Sequence, residues 1–113
     1  MRWIFHLVRP EELVWGSDGR YAPPSLAREG FVHASYQTAV RESARLYFAA
    51  EEHSGLRVLA IDPRRLDVPI EVAETPRGPM PHVLGSIPVD AVRVLDLATF
   101  EDVGDAVTGT QRA

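Results

Sequence analysis

The sequence contains no Cys, no Lys and no Asn. The absence of Cys excludes disulfides, cysteine nucleophiles and iron–sulfur ligation. The absence of Lys excludes a Schiff-base lysine, and therefore pyridoxal chemistry, as well as the lysine of an ordinary phosphate-binding loop. The remaining side chains with useful polar chemistry are His, Asp, Glu, Arg, Ser, Thr, Tyr and Gln.

Charge and hydropathy narrow the class of protein further. The chain has 113 residues and a formal net charge of −4, and all 12 of its positive side chains are Arg. Because the only tight basic pair is Arg64-Arg65, in a predicted turn, general nucleic-acid binding is not expected. No apolar run reaches the roughly 18 residues that cross a membrane, and the N-terminus lacks the features of a signal peptide. We therefore expect a cytoplasmic protein with no membrane contact. Its charge and composition are compatible with a small nucleotide-like ligand.

The hydrophobic pattern predicts a single α+β domain over residues 1–98, followed by a partly ordered C-terminal tail over residues 99–113. Strands and helices alternate unevenly, and no regular strand-helix-strand repeat or glycine-rich fingerprint appears, which argues against a Rossmann domain. We expect a small mixed or antiparallel split sheet with one main helix and several short helices. The predicted strands are Trp3–Val8, as the central strand, Phe31–Ser35, Leu56–Ile61, Val68–Glu74 and Val92–Leu97; the predicted helices include Pro24–Gly30 and the main helix Thr38–Glu52. The main helix is predicted from an apolar stripe formed by Val40, Ala44, Tyr47 and Phe48.

Three histidines mark a candidate site. His6, His33 and His82 each lie within an apolar, strand-like stretch, where a polar ring must find a hydrogen-bond partner or face a cleft. One such His is most often a satisfied core residue, but three together indicate a shared site. His53 belongs to a different class, because it lies at the polar end of the main helix, where it can favour the negative C-terminus.

Other polar and aromatic residues could complete this site. Alternation over Val68–Glu74 places Glu74 on the apolar face, where desolvation could raise its pKa and suit it to catalysis; Glu71 points to the opposite face and ranks second. The alternative for Glu74 is a carboxylate in water at the end of a strand. Candidate ligand contacts are two aromatic residues beside the glycine turn, which could equally cap a core edge, and two polar residues after His33: Trp15, Tyr21, Ser35 and Gln37.

Two chemical interpretations follow from these residues alone. Three His could hold a catalytic zinc with an open fourth position. Metal sites usually draw two ligands from neighbouring positions, however, and His6, His33 and His82 are widely separated, so we expect no metal. The other interpretation is a polar cleft for a sugar or a nucleotide, with His donating to hydroxyl or phosphate groups and Glu74 acting at a glycosidic carbon.

Several blocks of the sequence resemble a bacterial family labelled domain of unknown function 952. The blocks are I-F-H-L-V at 4–8, Trp15, Tyr21, S-L-A-R-E-G-F-V-H-A-S at 25–35, Gln37, L-A-I-D at 59–62, Glu74 and P-H-V-L-G at 81–85. The resemblance covers positions 3–97. That family is in turn similar to the ADP-ribosyltransferase fold, a split sheet that binds NAD between its halves, and F-V-H-A-S resembles a segment of RNA 2'-phosphotransferases.

The resemblance implies an NAD-binding or nucleotide-binding, ADP-ribosyltransferase-like domain that acts at a ribosyl or phosphate centre. By this resemblance His6 would contact a ribose hydroxyl, and His33 and Tyr21 would bracket the nicotinamide ribose or ring. Glu74 would bond the 2'-hydroxyl and stabilise an oxocarbenium-like centre. His82 has no counterpart in that fold, Leu7-Val8 replaces the G-T that commonly follows the first His, and the arginines of the phosphotransferases are not matched. A non-catalytic nucleotide-binding module is the alternative, and a His-ligated zinc hydrolase is a further one.

Overall fold

The computed structural model describes residues 2–49 and 55–100. Within these ranges the chain forms eight strands and two α-helices, joined by single 3-10 turns. The strands are β1 (Ile4–Val8), β2 (Arg20–Tyr21), β3 (Val32–His33), β4 (Arg57–Ile61), β5 (Ile70–Thr75), β6 (Gly78–Val83), β7 (Ile87–Pro88) and β8 (Val92–Asp96). The helices are α1 (Pro24–Glu29) and α2 (Val40–Tyr47), and the 3-10 turns are Pro10–Glu12, Gln37–Ala39, Pro63–Arg65, Val89–Ala91 and Leu97–Thr99. The predicted α+β class, with one main helix and several short ones, is confirmed.

Local signals explain where the helices begin and end. Pro24 opens α1, where its fixed φ suits the first helical position and its missing N–H costs nothing. Gly30 closes α1 in the left-handed conformation, with φ at 85°, and its N–H donates to the carbonyl of Leu26 at 2.9 Å. The main helix predicted over Thr38–Glu52 starts instead as a 3-10 turn and becomes α-helical at Val40. Residues 50–54, which include His53, and residues 101–113 of the predicted tail lie outside the described residues.

The strands form three antiparallel sheets. Their orders are β1-β4-β8, β2-β7 and β3-β6-β5. The first and third sheets meet where Phe5 and Ser35 exchange two backbone hydrogen bonds, of 2.8 and 2.7 Å. The structure therefore has the split, antiparallel arrangement that the sequence predicts. The prediction that Trp3–Val8 is the central strand is wrong, because β4 lies between β1 and β8.

Two apolar clusters explain why β1 has the sequence of a buried strand although it lies at one side of its sheet. Ile4 and Val8 face one cluster, together with Leu59 and Ile61 of β4. Phe5 faces the other cluster, which is covered by Val40 and Ala44 of α2 and by two residues after β8, Leu97 and Phe100. Burial on both faces accounts for the apolar run. Phe100 is only 4% exposed and meets Phe5 edge to face, so packing continues two residues past the predicted boundary at 98.

The described residues contain no helix that is both long enough and apolar enough to cross a membrane.

Candidate functional site

A cleft of about 850 Å3 is lined by residues of β1, α1, β3, α2 and the β5–β6 hairpin. Five of the residues singled out from the sequence line it: His6, Tyr21, His33, Ser35 and His82. They come from positions as far apart as β1 and β6, and only the pairing of the strands brings them together. The structure therefore brings the three histidines to one cleft.

His6 has both ring nitrogens in hydrogen bonds. Its Nδ1 lies 2.6 Å from the backbone carbonyl oxygen of His33, and its Nε2 lies 2.8 Å from the hydroxyl of Tyr21. Because a carbonyl oxygen can only accept, Nδ1 carries the hydrogen and donates it. In the neutral ring Nε2 is then an acceptor, and the Tyr21 hydroxyl donates to it. These contacts fix the tautomer and the orientation of His6 across β1, β2 and β3.

Burial sets the charge state of this pair. Desolvation lowers the pKa of His6 from 6.5 to about 4; the hydrogen bond to the His33 carbonyl opposes the shift and the neighbouring His33 ring adds to it. Burial also raises the pKa of Tyr21 above its ordinary value, and the charge of Glu12 raises it further. Both side chains are therefore neutral at neutral pH, and the pair acts as a fixed hydrogen-bonding surface.

His33 and His82 are direct partners across the β3–β6 pair. Their ring centroids are 5.6 Å apart in an edge-to-face arrangement, and His82 stacks on Phe31 with 3.8 Å between centroids. Glu29 accepts from Nε2 of His33 at 3.1 Å, which holds the ring against the end of α1. Burial, followed by the nearby His33, lowers the pKa of His82. The motifs around these two histidines, G-F-V-H-A-S and P-H-V-L-G, are thus adjacent strands of one wall.

Ser35 lies at the junction of the two sheets. Its side chain is 6% exposed and its hydroxyl is 2.8 Å from the hydroxyl of Ser43 in α2. Together with its backbone bonds to Phe5, this contact joins β1, the end of β3 and α2 at the bottom of the cleft. The structure therefore gives Ser35 a packing role as well as a place in the cleft lining, and its predicted contact with a ligand stays a prediction.

The prediction that Glu74 faces the cleft is wrong. Glu74 is exposed and pairs with Pro79, whereas the residues of the hairpin that line the cleft include Thr75, Met80 and His82. Because side chains alternate between the two faces of the sheet along β5, Glu74 lies on the face opposite the cleft, where its carboxylate is exposed to water. Glu71, the second-ranked candidate of the sequence analysis, lies opposite His82 in the β5–β6 pair. The charge of Glu71 favours the protonated form of His82.

Trp15 and Gln37 also lie outside the cleft lining. Trp15 packs against the first apolar cluster, and its ring meets that of Tyr21 edge to face with 6.1 Å between centroids. Gln37 begins the 3-10 turn that leads into α2. The predicted ligand contacts of both residues stay predictions. Trp15 supports the ring of Tyr21, in line with its alternative role at a core edge.

Tyr47 and Arg77 are among the cleft residues that the sequence analysis did not single out as site residues. Tyr47 belongs to the apolar stripe of the main helix, yet it is 56% exposed, lines the cleft and lies 6.1 Å from the ring of His33. Arg77 lies in the turn between β5 and β6, where an Arg is ordinarily a solvated surface residue, and it lines the cleft from there. The T-P-R-G turn carries no local signal of this role, because it depends on how the hairpin packs against α2.

The three histidines do not form a metal-ligating group in the part of the chain that the structure describes. Within 2–49 and 55–100 no three His, Asp or Glu side chains are placed to hold a metal ion together. His6 uses both ring nitrogens within the protein, and Nε2 of His33 is bonded to Glu29. The zinc alternative therefore finds no ligand set in this part of the chain.

The fold and the site define an α+β domain with a histidine-lined cleft to which α1 and α2 both contribute. The chain belongs to the family described as protein of unknown function (DUF952), whose model matches residues 7–95. The family assignment made from the sequence motifs is confirmed.

Solved structures of one other protein share the fold. The crystal structure of protein CC0527 from Caulobacter crescentus is 23% identical, with a TM-score of 0.72 over 90% of this chain and 91% of that chain. The solution NMR structure of CC0527 is 24% identical, with a TM-score of 0.63 over 98% of this chain and 97% of that chain. No curated protein matches the chain. At this level of identity the likeness shows the fold alone.

Proposed function

We propose that the cleft binds a small nucleotide-like ligand, with NAD and ADP-ribose as the first candidates. The observation that carries this proposal is the convergence of His6, Tyr21, His33 and His82, from four different strands, on one cleft of about 850 Å3. Pockets for small ligands and cofactors have volumes of roughly 300–1,000 Å3 and combine apolar walls with a few fixed polar groups. The cleft meets both conditions.

Flat rings on one side of the cleft suit a base or a nicotinamide. His33 lies between His82 and Tyr47, with centroid separations of 5.6 and 6.1 Å, and all three residues line the cleft. Burial keeps His82 neutral at neutral pH, so it offers a ring surface without a charge. Stacking of a ligand ring on these side chains would contribute binding energy without requiring one particular base.

The His6–Tyr21 pair suits a ribose hydroxyl. Since Tyr21 donates its hydrogen to Nε2 of His6, its oxygen keeps lone pairs for a hydrogen bond from a ligand. Both nitrogens of His6 are already occupied, so we assign the direct contact to Tyr21, with His6 holding it in place. This modifies the role that the family resemblance implies for His6, namely direct contact with the hydroxyl.

The placement of Glu74 favours a binding module over an ADP-ribosyltransferase. Transfer would need a carboxylate beside the oxocarbenium-like centre, and Glu74 lies on the opposite face of its sheet from His82. The carboxylates that line the cleft are Glu12 and Glu29, and each already holds a neighbouring side chain: Arg9 at 3.1 Å and His33 at 3.1 Å. We therefore propose ligand binding as the function of this site and assign no catalytic role to Glu74.

Titration calorimetry tests this proposal. Wild type should bind NAD or ADP-ribose, and His33→Ala should weaken binding by about tenfold or more, because it removes the ring between His82 and Tyr47. Glu74→Gln is the matched control: it removes an exposed group outside the cleft and should leave the affinity unchanged.

Two outcomes would overturn the proposal. If wild type bound neither NAD nor ADP-ribose, the assignment of the cleft to these ligands would fail. If wild type released nicotinamide from NAD, and Glu74→Gln abolished that release, the transferase interpretation would replace the binding module. Thermal unfolding of each variant verifies that the fold is retained.

A further inference from the structure

Arg77 connects the β5–β6 hairpin with α2 on one side of the cleft. Its Nη1 donates to Glu42 at 3.1 Å and to Ser43 at 3.4 Å, and its Nη2 donates to the hydroxyl of Tyr47 at 3.4 Å. The guanidinium also lies 5.7 Å from the centre of the Tyr47 ring. These contacts hold a positive group at a defined position in the cleft lining, with 20% of its side chain exposed.

The guanidinium of Arg77 has donors to spare. Arg carries five N–H groups in a planar fork, and within the described residues Arg77 makes three hydrogen bonds, two of them long. Nε takes part in none of the three. A partly buried guanidinium with unused donors suits an acceptor with several oxygens, as a phosphate group provides.

A second arginine makes the cleft positive on balance. Arg28 of α1 is exposed and lines the cleft, and it forms no ion pair with any residue in the described ranges. Of the two acidic residues of the lining, Glu12 pairs with Arg9, and Glu29 accepts a hydrogen bond from Nε2 of His33. Three arginines, Arg9, Arg28 and Arg77, and two glutamates line the cleft, and Glu42, outside the lining, pairs with Arg77. The arginine that no carboxylate of the described ranges pairs with is Arg28, and this positive group favours an anionic ligand.

We infer that Arg77 and Arg28 form a phosphate subsite, through which the cleft recognises the phosphate or pyrophosphate group of its ligand. This inference rests on the proposed function and adds what the ligand must carry. Arg77 is the anchored group of the subsite, since Glu42, Ser43 and Tyr47 fix its direction before any ligand arrives. Arg28, which has no ion pair among residues 2–49 and 55–100, would contact the phosphate from α1.

Titration calorimetry with inorganic pyrophosphate, ADP-ribose and adenosine tests the subsite. Arg77→Gln and Arg28→Gln should each weaken pyrophosphate and ADP-ribose binding by about tenfold, because each removes charge-assisted hydrogen bonds to phosphate. The affinity for adenosine should be the same in wild type and in both variants, because adenosine has no phosphate. Arg45→Gln is the matched control, because Arg45 is an exposed arginine of α2 that does not line the cleft.

The outcomes separate this inference from the proposed function. If ADP-ribose bound wild type, Arg77→Gln and Arg28→Gln equally well, the subsite would be wrong and the nucleotide proposal would stand. If pyrophosphate bound and Arg77→Gln abolished it while NAD and ADP-ribose did not bind, the subsite would stand without the nucleotide. If neither pyrophosphate nor ADP-ribose bound wild type, the inference would fail. Should Arg77→Gln not fold, Arg28→Gln still decides, because its side chain is exposed and unpaired within the described residues.

Discussion

The free energy of unfolding should fall as the pH decreases from about 6.5 to about 4, because of His6. In the folded protein burial lowers the pKa of His6 from 6.5 to about 4, whereas in the unfolded chain His6 keeps its ordinary pKa. Between these values the unfolded chain binds a proton that the folded chain does not. Lower pH therefore favours unfolding, and the stability lost in this window returns as the pH rises above 6.5.

The magnitude follows from the size of the window. Each pH unit in which only the unfolded chain is protonated removes about 1.4 kcal/mol, which amounts to about 3 kcal/mol across the window. This loss of stability is an upper value, because His6 is partly exposed to solvent in the cleft, and solvent there screens its charge. The lowered pKa of His82 acts in the same direction.

Urea unfolding of wild type and His6→Gln at several pH values measures this effect. Gln does not titrate, and its amide can donate to the carbonyl of His33 and accept from Tyr21. The loss of stability on going from about pH 7 to about pH 5 should shrink by more than 1 kcal/mol in His6→Gln, as expected when the dominant titrating group is gone. His82→Gln is the control, and it should retain most of the wild-type dependence. Equal losses in wild type and His6→Gln would refute the reasoning.

Two further changes test a hydrogen bond of the cleft and a packing contact beside the first apolar cluster. Tyr21→Phe should lower the free energy of unfolding by about 1–2 kcal/mol, because Nε2 of His6 loses its donor; Tyr36→Phe, for which no hydroxyl contact is seen among the described residues, should be nearly neutral in the same urea titration. Gly85→Ala should lower the melting temperature, since its Cβ would lie 2.6 Å from a methyl carbon of Val68, and adding Val68→Ala should recover part of the loss. A Tyr21→Phe protein as stable as wild type, or no recovery in the Gly85→Ala, Val68→Ala double variant, would contradict these assignments.

The elements that the sequence predicts well are those with local signals. Pro24 and Gly30 delimit α1 through backbone geometry that depends on little beyond the segment itself. Val40 and Ala44, one helical turn apart, pack on the core as the predicted stripe requires. The central position expected of Trp3–Val8 was wrong because a strand buried on both faces has the same composition wherever it lies in a sheet.

The site could be predicted only in part, because its geometry depends on long-range pairing. The sequence indicated His6, His33 and His82 through their apolar surroundings, but the direct pairing of His33 with His82 follows from the register of β3 and β6. Period-two alternation correctly predicted that Glu74 and Glu71 lie on opposite faces of the sheet. It could not show which of these faces borders the cleft. Arg77 enters the site from a turn, where the pattern of polar and apolar residues carries no information about packing.

The most direct test of the binding cleft is an NMR titration of the wild-type protein with ADP-ribose, following the ring signals of His6, His33 and His82. We expect all three signals to shift along saturable curves with one common dissociation constant, because the three rings line the same cleft. If none of the three signals shifted on addition of ADP-ribose, or if they shifted without saturation, the central claim would be contradicted.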